Sequence, residues 1–185
     1  FKALKKGLLS KPEVFNKLKF YFIGTSYAPS GTGTTTILPL AIQYGVNDNV
    51  IEITDRISYY HTILTLQQAD ALFIPGSEDP KYTASKIYPY MQIHKPLLAI
   101  FNKNSSAVAT LNECTDNAIV LTFNENATYL ADTLYQVLLD WGNNVYKFAT
   151  LTTKFENYSA KTLTGKQTEL FIEAINHFET KNTNA

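Results

Sequence analysis

The sequence predicts an α/β protein with a doubly wound, Rossmann-like parallel sheet of about five or six strands and helices on both faces. Short apolar runs alternate five times with segments of helical apolar spacing, which is typical of βαβ units. The runs ALFI, PLLAIF and AIVLT are apolar throughout, as in strands that are buried on both sides. The chain has 185 residues, of which 45% are hydrophobic, and this is enough for one such domain.

Each predicted strand is a short apolar run that stops at a turn residue or at a polar loop. KFYFI stops at Gly24, and ALFI stops at Pro75 and Gly76. In chain order, the predicted strands cover residues 19–23, 49–53, 71–74, 96–101 and 118–122. Ligands bind beyond the carboxyl ends of such strands, so the candidate ligand-binding loops are 24–33, 54–58, 75–85 and 102–105.

The segments between and after the strands are predicted helices, because their apolar residues recur every three or four positions. Ser58 is expected to cap the second of them, and Pro89 to kink or restart the third, whose Ile87 and Met91 should face the core. In chain order, the predicted helices cover residues 34–44, 58–68, 83–93, 105–113 and about 127–141, with a last helix from near Gly165.

These elements divide the chain into four parts. We expect residues 1–16 to be an N-terminal linker or crossover segment and residues 17–145 to form the Rossmann-like domain. Residues 146–180 should form a closing helical segment, and the polar residues 181–185 a frayed tail.

The charge balance argues against nucleic-acid binding. Sixteen basic residues balance sixteen acidic ones, and Arg56 is the only arginine, so no arginine-rich patch can form. Cys114 is also alone, which excludes an intrachain disulfide, and the three histidines lack metal-site spacing. No apolar run is long enough to span a bilayer, and no signal peptide opens the chain. We therefore expect a cytoplasmic protein without a metal site.

Two loops have the composition of phosphate sites. Loop 24–33 contains three glycines before a helix, although it matches no established glycine-rich motif and a plain connecting loop fits it equally well. Residues 82–86, YTASK, place hydroxyls, backbone N–H groups and an ammonium at a predicted helix start, which suits a diphosphate. An ordinary helix cap with a solvated lysine is the alternative. Arg56 follows the second strand and is the sole guanidinium available to hold a phosphate.

The runs ADALFIPGS and YTASKIYPYMQIHKPLLAI resemble the nucleotide-sugar-binding half of glycosyltransferases with the GT-B fold. The resemblance covers about residues 17 to 140. It implies that the C-terminal domain opens at KFYFIG, that a basic residue follows the second strand, and that Ser85 and Lys86 bind the donor. The donor-binding residues it implies are Gly24, Thr25, Arg56, Ile57, Tyr82, Thr83, Ser85 and Lys86.

One departure from that family lies in the same region. Many retaining members carry two glutamates, separated by seven residues, that contact the donor sugar and the ribose. Lys81 and Pro89 occupy the aligned positions here. The ribose contact is therefore absent or supplied by other groups, and the resemblance does not assign retaining or inverting stereochemistry.

The resemblance implies the donor-binding half of a hexosyltransferase-like enzyme of bacterial polysaccharide or glycan biosynthesis. Its substrate would be a nucleotide diphosphate sugar, with no cofactor, no metal and no catalytic residue in this fragment. An N-terminal acceptor domain would precede Phe1, and the fragment alone should be inactive. Peripheral membrane association would come only through the full-length enzyme. The alternative function is a non-catalytic, flavodoxin-like or nucleotide-binding interaction module, for which loop 24–33 would be the phosphate loop.

Overall fold

The protein's structure, a computed structural model, describes residues 1–183. The strands are β1 (Phe20–Ile23), β2 (Val50–Ile53), β3 (Leu72–Pro75), β4 (Leu97–Phe101), β5 (Thr115–Asp116), β6 (Ile119–Thr122) and β7 (Thr150–Leu151). The α-helices are α1 (Lys2–Ser10), α2 (Pro12–Phe15), α3 (Ile37–Tyr44), α4 (Tyr59–Gln68), α5 (Ile87–Gln92), α6 (Ser106–Cys114), α7 (Ala127–Gly142) and α8 (Ala160–Thr183). Short 3₁₀ helices cover Asn47–Asn49 and Thr153–Tyr158.

The strands form three small sheets rather than the single sheet of five or six strands that we expected. β1 pairs with β2 and β3-β4-β6 form a triplet, all parallel, whereas β5 and β7 form an antiparallel pair. Between the two parallel sheets, Phe22 of β1 and Phe73 of β3 line an apolar cavity of about 250 Å³. Side chains of both sheets also belong to one apolar cluster, so packing links the sheets where the prediction assumed a continuous ladder of hydrogen bonds.

The α/β class is confirmed, and the strands β3, β4 and β6 contribute side chains to apolar clusters on both faces of their sheet. Side chains alternate along β4, so that Leu98 and Ile100 face one apolar cluster while Leu97, Ala99 and Phe101 face the other. The first cluster includes residues of α1, α2, α3 and α7, and the second includes residues of α4, α5 and α6. Helices thus cover both faces, which explains why these strands are apolar throughout.

The N-terminal segment, for which we expected a linker or crossover over residues 1–16, is helical and contributes to the core. α1 and α2 pack against α7, and Leu4 and Phe15 are fully buried. Gly7 permits this packing, because a Cβ at that position would collide with the Phe15 ring. Phe15 also stacks on Tyr135 of α7, with a ring-centroid distance of 5.3 Å.

The closing segment begins differently from the prediction. It contains β7 and a 3₁₀ helix, and α8 starts at Ala160 rather than near Gly165. Ser159 explains the earlier start, because its hydroxyl accepts a hydrogen bond from the Thr162 amide at 3.1 Å. α8 continues to Thr183, so three of the five residues expected as a frayed tail are helical. Residues 184–185 lie outside the described part of the chain.

Candidate functional site

The loops at the carboxyl edge of the β3-β4-β6 sheet are joined to one another by hydrogen bonds. The Asn102 amide donates to the Ser77 carbonyl at 3.0 Å, and the Ser105 hydroxyl donates to the Tyr82 carbonyl at 3.2 Å. The Tyr82 ring stacks on Phe101, at 6.4 Å between centroids. The segment that follows β3 is thereby held against the end of β4.

α5 is shorter than predicted, because it begins at Ile87 instead of residue 83. Residues 83–86 therefore form a loop rather than a first helical turn. Pro89 falls in the first turn of α5, where its missing N–H would have no intrahelical partner, so the expected kink is not needed. Ile87 and Met91 are fully buried, and their predicted placement in the core is confirmed.

A cleft of about 250 Å³ lies between residues 83–88 and the start of α6. Five of its eight lining residues carry hydroxyl groups. The lining residues are Thr83, Ala84, Ser85, Ile87, Tyr88, Ser106, Ala107 and Thr110. We call this space the hydroxyl cleft. Hydroxyls donate and accept hydrogen bonds, so the cleft can bind sugar hydroxyls or phosphate oxygens.

The electrostatic character of the hydroxyl cleft suits a neutral or anionic ligand. None of its lining residues is acidic or basic, and the exposed Lys86 follows Ser85 directly. Ser106 and Ala107 belong to the first turn of α6, the end at which the helix dipole favours negative charge. A tyrosine hydroxyl is protonated near neutral pH and can donate a hydrogen bond. Burial, chiefly, raises the pKa of Tyr88 further.

The N-terminus of α3 is occupied by a side chain of the protein itself. The Glu52 carboxylate on β2 accepts four hydrogen bonds, at 2.7 to 3.0 Å. Its donors are the amides of Thr36, Ile37 and Leu38 and the hydroxyl of Thr25. Burial of Glu52 would raise its pKa, but these hydrogen bonds outweigh burial and lower the pKa. An internal carboxylate thus fills the place where loop 24–33 was expected to cradle a phosphate.

Gly24 and Thr25, both expected at the donor site, use their polar groups inside the fold. The Gly24 amide donates to the Ile53 carbonyl at 2.8 Å, and the Thr25 hydroxyl donates to Glu52. Gly24 has a positive φ of 74°, and an added Cβ would lie 3.6 Å from Arg56 Cα. Glycine at this position therefore serves the left-handed backbone conformation, in which another residue would be strained, whereas the contact with loop 54–58 would leave room for a Cβ.

The sequence-predicted residues fall into two groups. Thr83 and Ser85 line the hydroxyl cleft, with Tyr82 and Lys86 on either side in the chain. The second group follows β1 and β2 and consists of Gly24, Thr25, Arg56 and Ile57. The Arg56 guanidinium lies over the Tyr27 ring, 5.1 Å from its centroid, and Ile57 is partly exposed beside it in the chain.

Sequence reasoning missed four residues that define these two regions. Ser106 and Thr110 come from the helix that follows β4. The available signal was the serine pair at 105–106, separated by three residues from the end of an apolar strand. Glu52 is an acidic residue within the apolar run VIEI, which indicates a carboxylate with internal partners. Tyr27 carried no signal beyond its place in loop 24–33.

Comparisons with protein-family models, with curated proteins and with solved structures found no match. Within residues 1–183, none of the helices is both long enough and apolar enough to cross a membrane. The same residues contain no group of three or more His, Cys, Asp or Glu side chains that could hold a metal ion.

Proposed function

We propose that this chain is the donor-binding domain of a glycosyltransferase that uses a nucleotide diphosphate sugar. The observation that carries the proposal is the hydroxyl cleft beside Lys86, one side of which is formed by the YTASKIYPY segment on which the resemblance rests. Phosphoryl and sugar oxygens need donors that carry no negative charge, and the cleft offers hydroxyls, the first turn of α6 and an ammonium next to it.

Lys86 and Arg56 supply the cationic groups in this proposal. Lys86 lies in the segment between β3 and α5, and Arg56 lies in the loop that follows β2. Together they would stabilise the departing diphosphate, so that catalysis is electrostatic and needs no nucleophile from this domain. The acceptor and its activating groups would come from a further domain.

The flavodoxin-like alternative receives less support. That function would use the loop after β1 and the N-terminus of α3 to hold a phosphate, yet Glu52 already accepts the first amides of α3. A phosphate there would meet a carboxylate of the same charge. The hydroxyl cleft has no such obstacle among its lining residues.

Isothermal titration calorimetry of the 185-residue chain against UDP, GDP and ADP tests the proposal. We expect weak binding of at least one of them, and Lys86→Ala should weaken it roughly ten- to a hundredfold, as loss of a charge-assisted hydrogen bond allows. Lys81→Ala is the matched control, because Lys81 is an exposed lysine in the same loop, with its amide bound to Asp79.

Two results would contradict the proposal. The first is the absence of binding with all three nucleotides. The second is an equal loss of affinity in Lys81→Ala and Lys86→Ala, which would show general charge attraction rather than a site.

A further inference from the structure

Arg56 is the chain's only arginine, and its side chain is held by one aromatic ring. The guanidinium carbon lies 5.1 Å from the centroid of the Tyr27 ring, within the range of a cation–π contact. The Arg56 side chain makes no hydrogen bond or ion pair with any other residue that the structure describes. The N–H donors at the edge of the guanidinium are therefore left for a ligand.

Loop 24–33, which carries Tyr27, is fastened on both sides of that residue. On one side, the Ser26 amide donates to the Thr54 carbonyl at 3.1 Å. On the other, the Asp55 carboxylate accepts the Ser30 hydroxyl at 2.7 Å and the Gly31 amide at 2.9 Å. Thr54 and Asp55, which accept these hydrogen bonds, belong to loop 54–58 and directly precede Arg56 in the chain. Loop 24–33 thus presents Tyr27 to Arg56 as one unit with loop 54–58.

Core packing does not account for the position of Tyr27, because 87% of the residue is exposed. An exposed ring contributes little to stability through burial. The contact instead restricts the rotamers of a flexible side chain. An unrestrained arginine loses this freedom only when it binds a ligand, which costs entropy at that step. The ring reduces that loss in advance.

We infer that Tyr27 is a positioning residue that holds the Arg56 guanidinium over its ring so that the N–H edge meets the diphosphate of the donor. This inference rests on the proposed function. It replaces the expectation that loop 24–33 cradles a phosphate itself. The loop acts on the ligand through Arg56, while its own polar groups bind Glu52 and Asp55.

The first test is spectroscopic and needs no ligand. Because Arg56 is the sole arginine, its Nε–Hε and Hδ signals are unambiguous in an NMR spectrum of the full chain. We expect Tyr27→Leu to shift the Hδ signals as the ring current is lost, and Tyr27→Phe to leave them near their original positions. Unchanged Hδ signals in Tyr27→Leu would overturn the inference.

The second test measures binding of UDP, GDP and ADP by calorimetry. We expect Tyr27→Leu to weaken the nucleotide that binds by roughly two- to fivefold, as a surface cation–π contact allows, and Tyr27→Phe to retain affinity. In an Arg56→Ala background, Tyr27→Leu should have no further effect. Tyr60→Leu is the matched control, because Tyr60 is 79% exposed and its ring pairs with Tyr59.

The outcomes separate the inference from the proposed function. If the wild-type chain binds a nucleotide and Arg56→Ala weakens binding while Tyr27→Leu does not, the donor site stands and the inference is wrong. The inference also fails if Tyr27→Leu weakens binding equally with and without Arg56. If the wild-type chain binds none of the three nucleotides, the proposed function fails, and an intact ring-current signal would then assign the contact to local structure alone.

Discussion

Two regions at the carboxyl ends of the parallel strands meet the same physical problem in opposite ways. Both must satisfy polar groups at the start of a crossover segment. At α3, the Glu52 carboxylate accepts three backbone amides and a hydroxyl, so the protein completes the region itself. In the hydroxyl cleft, Ser85 and Ser106 are exposed and face a space of about 250 Å³.

The difference separates a group that maintains the fold from groups that can serve a ligand. A carboxylate with four internal hydrogen bonds contributes to stability and repels an incoming anion. Exposed hydroxyls around a cleft contribute little to stability and keep their hydrogen-bonding capacity. Substitutions in the two regions should therefore move different quantities, the free energy of unfolding in one and ligand affinity in the other.

The largest effect is expected for Glu52→Ala. This change leaves three amides of α3 and the Thr25 hydroxyl without their acceptor, and we expect it to lower the free energy of unfolding by about 2–3 kcal/mol. Urea denaturation followed by circular dichroism measures the loss as a lower midpoint with an unchanged slope. Glu169→Ala, at an exposed position on α8, is the control and should cost less than about 0.5 kcal/mol. Equal stability of the two variants would contradict this assignment for Glu52.

The second prediction concerns the loss of folding stability at acidic pH. Hydrogen bonds hold the pKa of folded Glu52 below its ordinary value of 4.5, so its contribution is fully present above that value and is lost as pH falls through the folded pKa. Between about pH 5 and pH 3, the wild-type chain should lose more stability than Glu52→Gln, which cannot titrate. Urea midpoints at four pH values measure this difference. If the urea midpoints of the two proteins fall equally with pH, the protonation of Glu52 does not affect folding stability.

Short-range pattern predicted the strands of this fold well. β2, β3 and β4 lie within one residue of their predicted ends, because a buried strand is a continuous apolar run. The division into separate sheets could not be read in this way. Whether β1 pairs with β3 is decided by contacts between residues far apart in the chain, which a local apolar pattern does not contain. In the structure, Phe22 of β1 and Phe73 of β3 line a shared cavity instead.

The hydroxyl cleft was also predicted only in part, because its residues come from segments that are distant in the chain. Thr83 and Ser85 were predicted because they stand at a predicted helix start, but the other hydroxyls of the cleft, those of Ser106 and Thr110, come from the next crossover. Loop 24–33 was interpreted as a phosphate loop from its glycines. The acceptor for the amides of α3 lies 16 residues beyond Thr36, in a strand, and a local motif does not reveal it.

The third prediction uses Ser105, which borders the hydroxyl cleft but belongs to the fold. Its buried hydroxyl accepts from the Ala107 amide and donates to the Tyr82 carbonyl, so it caps α6 and holds the preceding loop. Ser105→Ala should lower the free energy of unfolding by about 1 kcal/mol, the usual cost of a lost helix cap. Ser105→Asn keeps an acceptor that can cap the helix and should restore part of the loss in urea denaturation. A variant Ser105→Ala as stable as wild type would show that this cap contributes nothing.

The smallest change in stability is expected one residue further on, at Ser106. This serine is exposed in the first turn of α6 and lines the hydroxyl cleft, so Ser106→Ala should change the free energy of unfolding by less than about 0.5 kcal/mol. Calorimetry with UDP, GDP and ADP should nevertheless show a loss of affinity of roughly three- to tenfold for the nucleotide that binds, because one neutral hydrogen bond is worth about that much. Ser105→Ala removes a buried, hydrogen-bonded hydroxyl, and Ser106→Ala removes an exposed hydroxyl of the cleft at the next position. Together they test whether stability and binding separate at this edge of the sheet. If Ser106→Ala costs stability and leaves affinity unchanged, the cleft is part of the fold and not a ligand site.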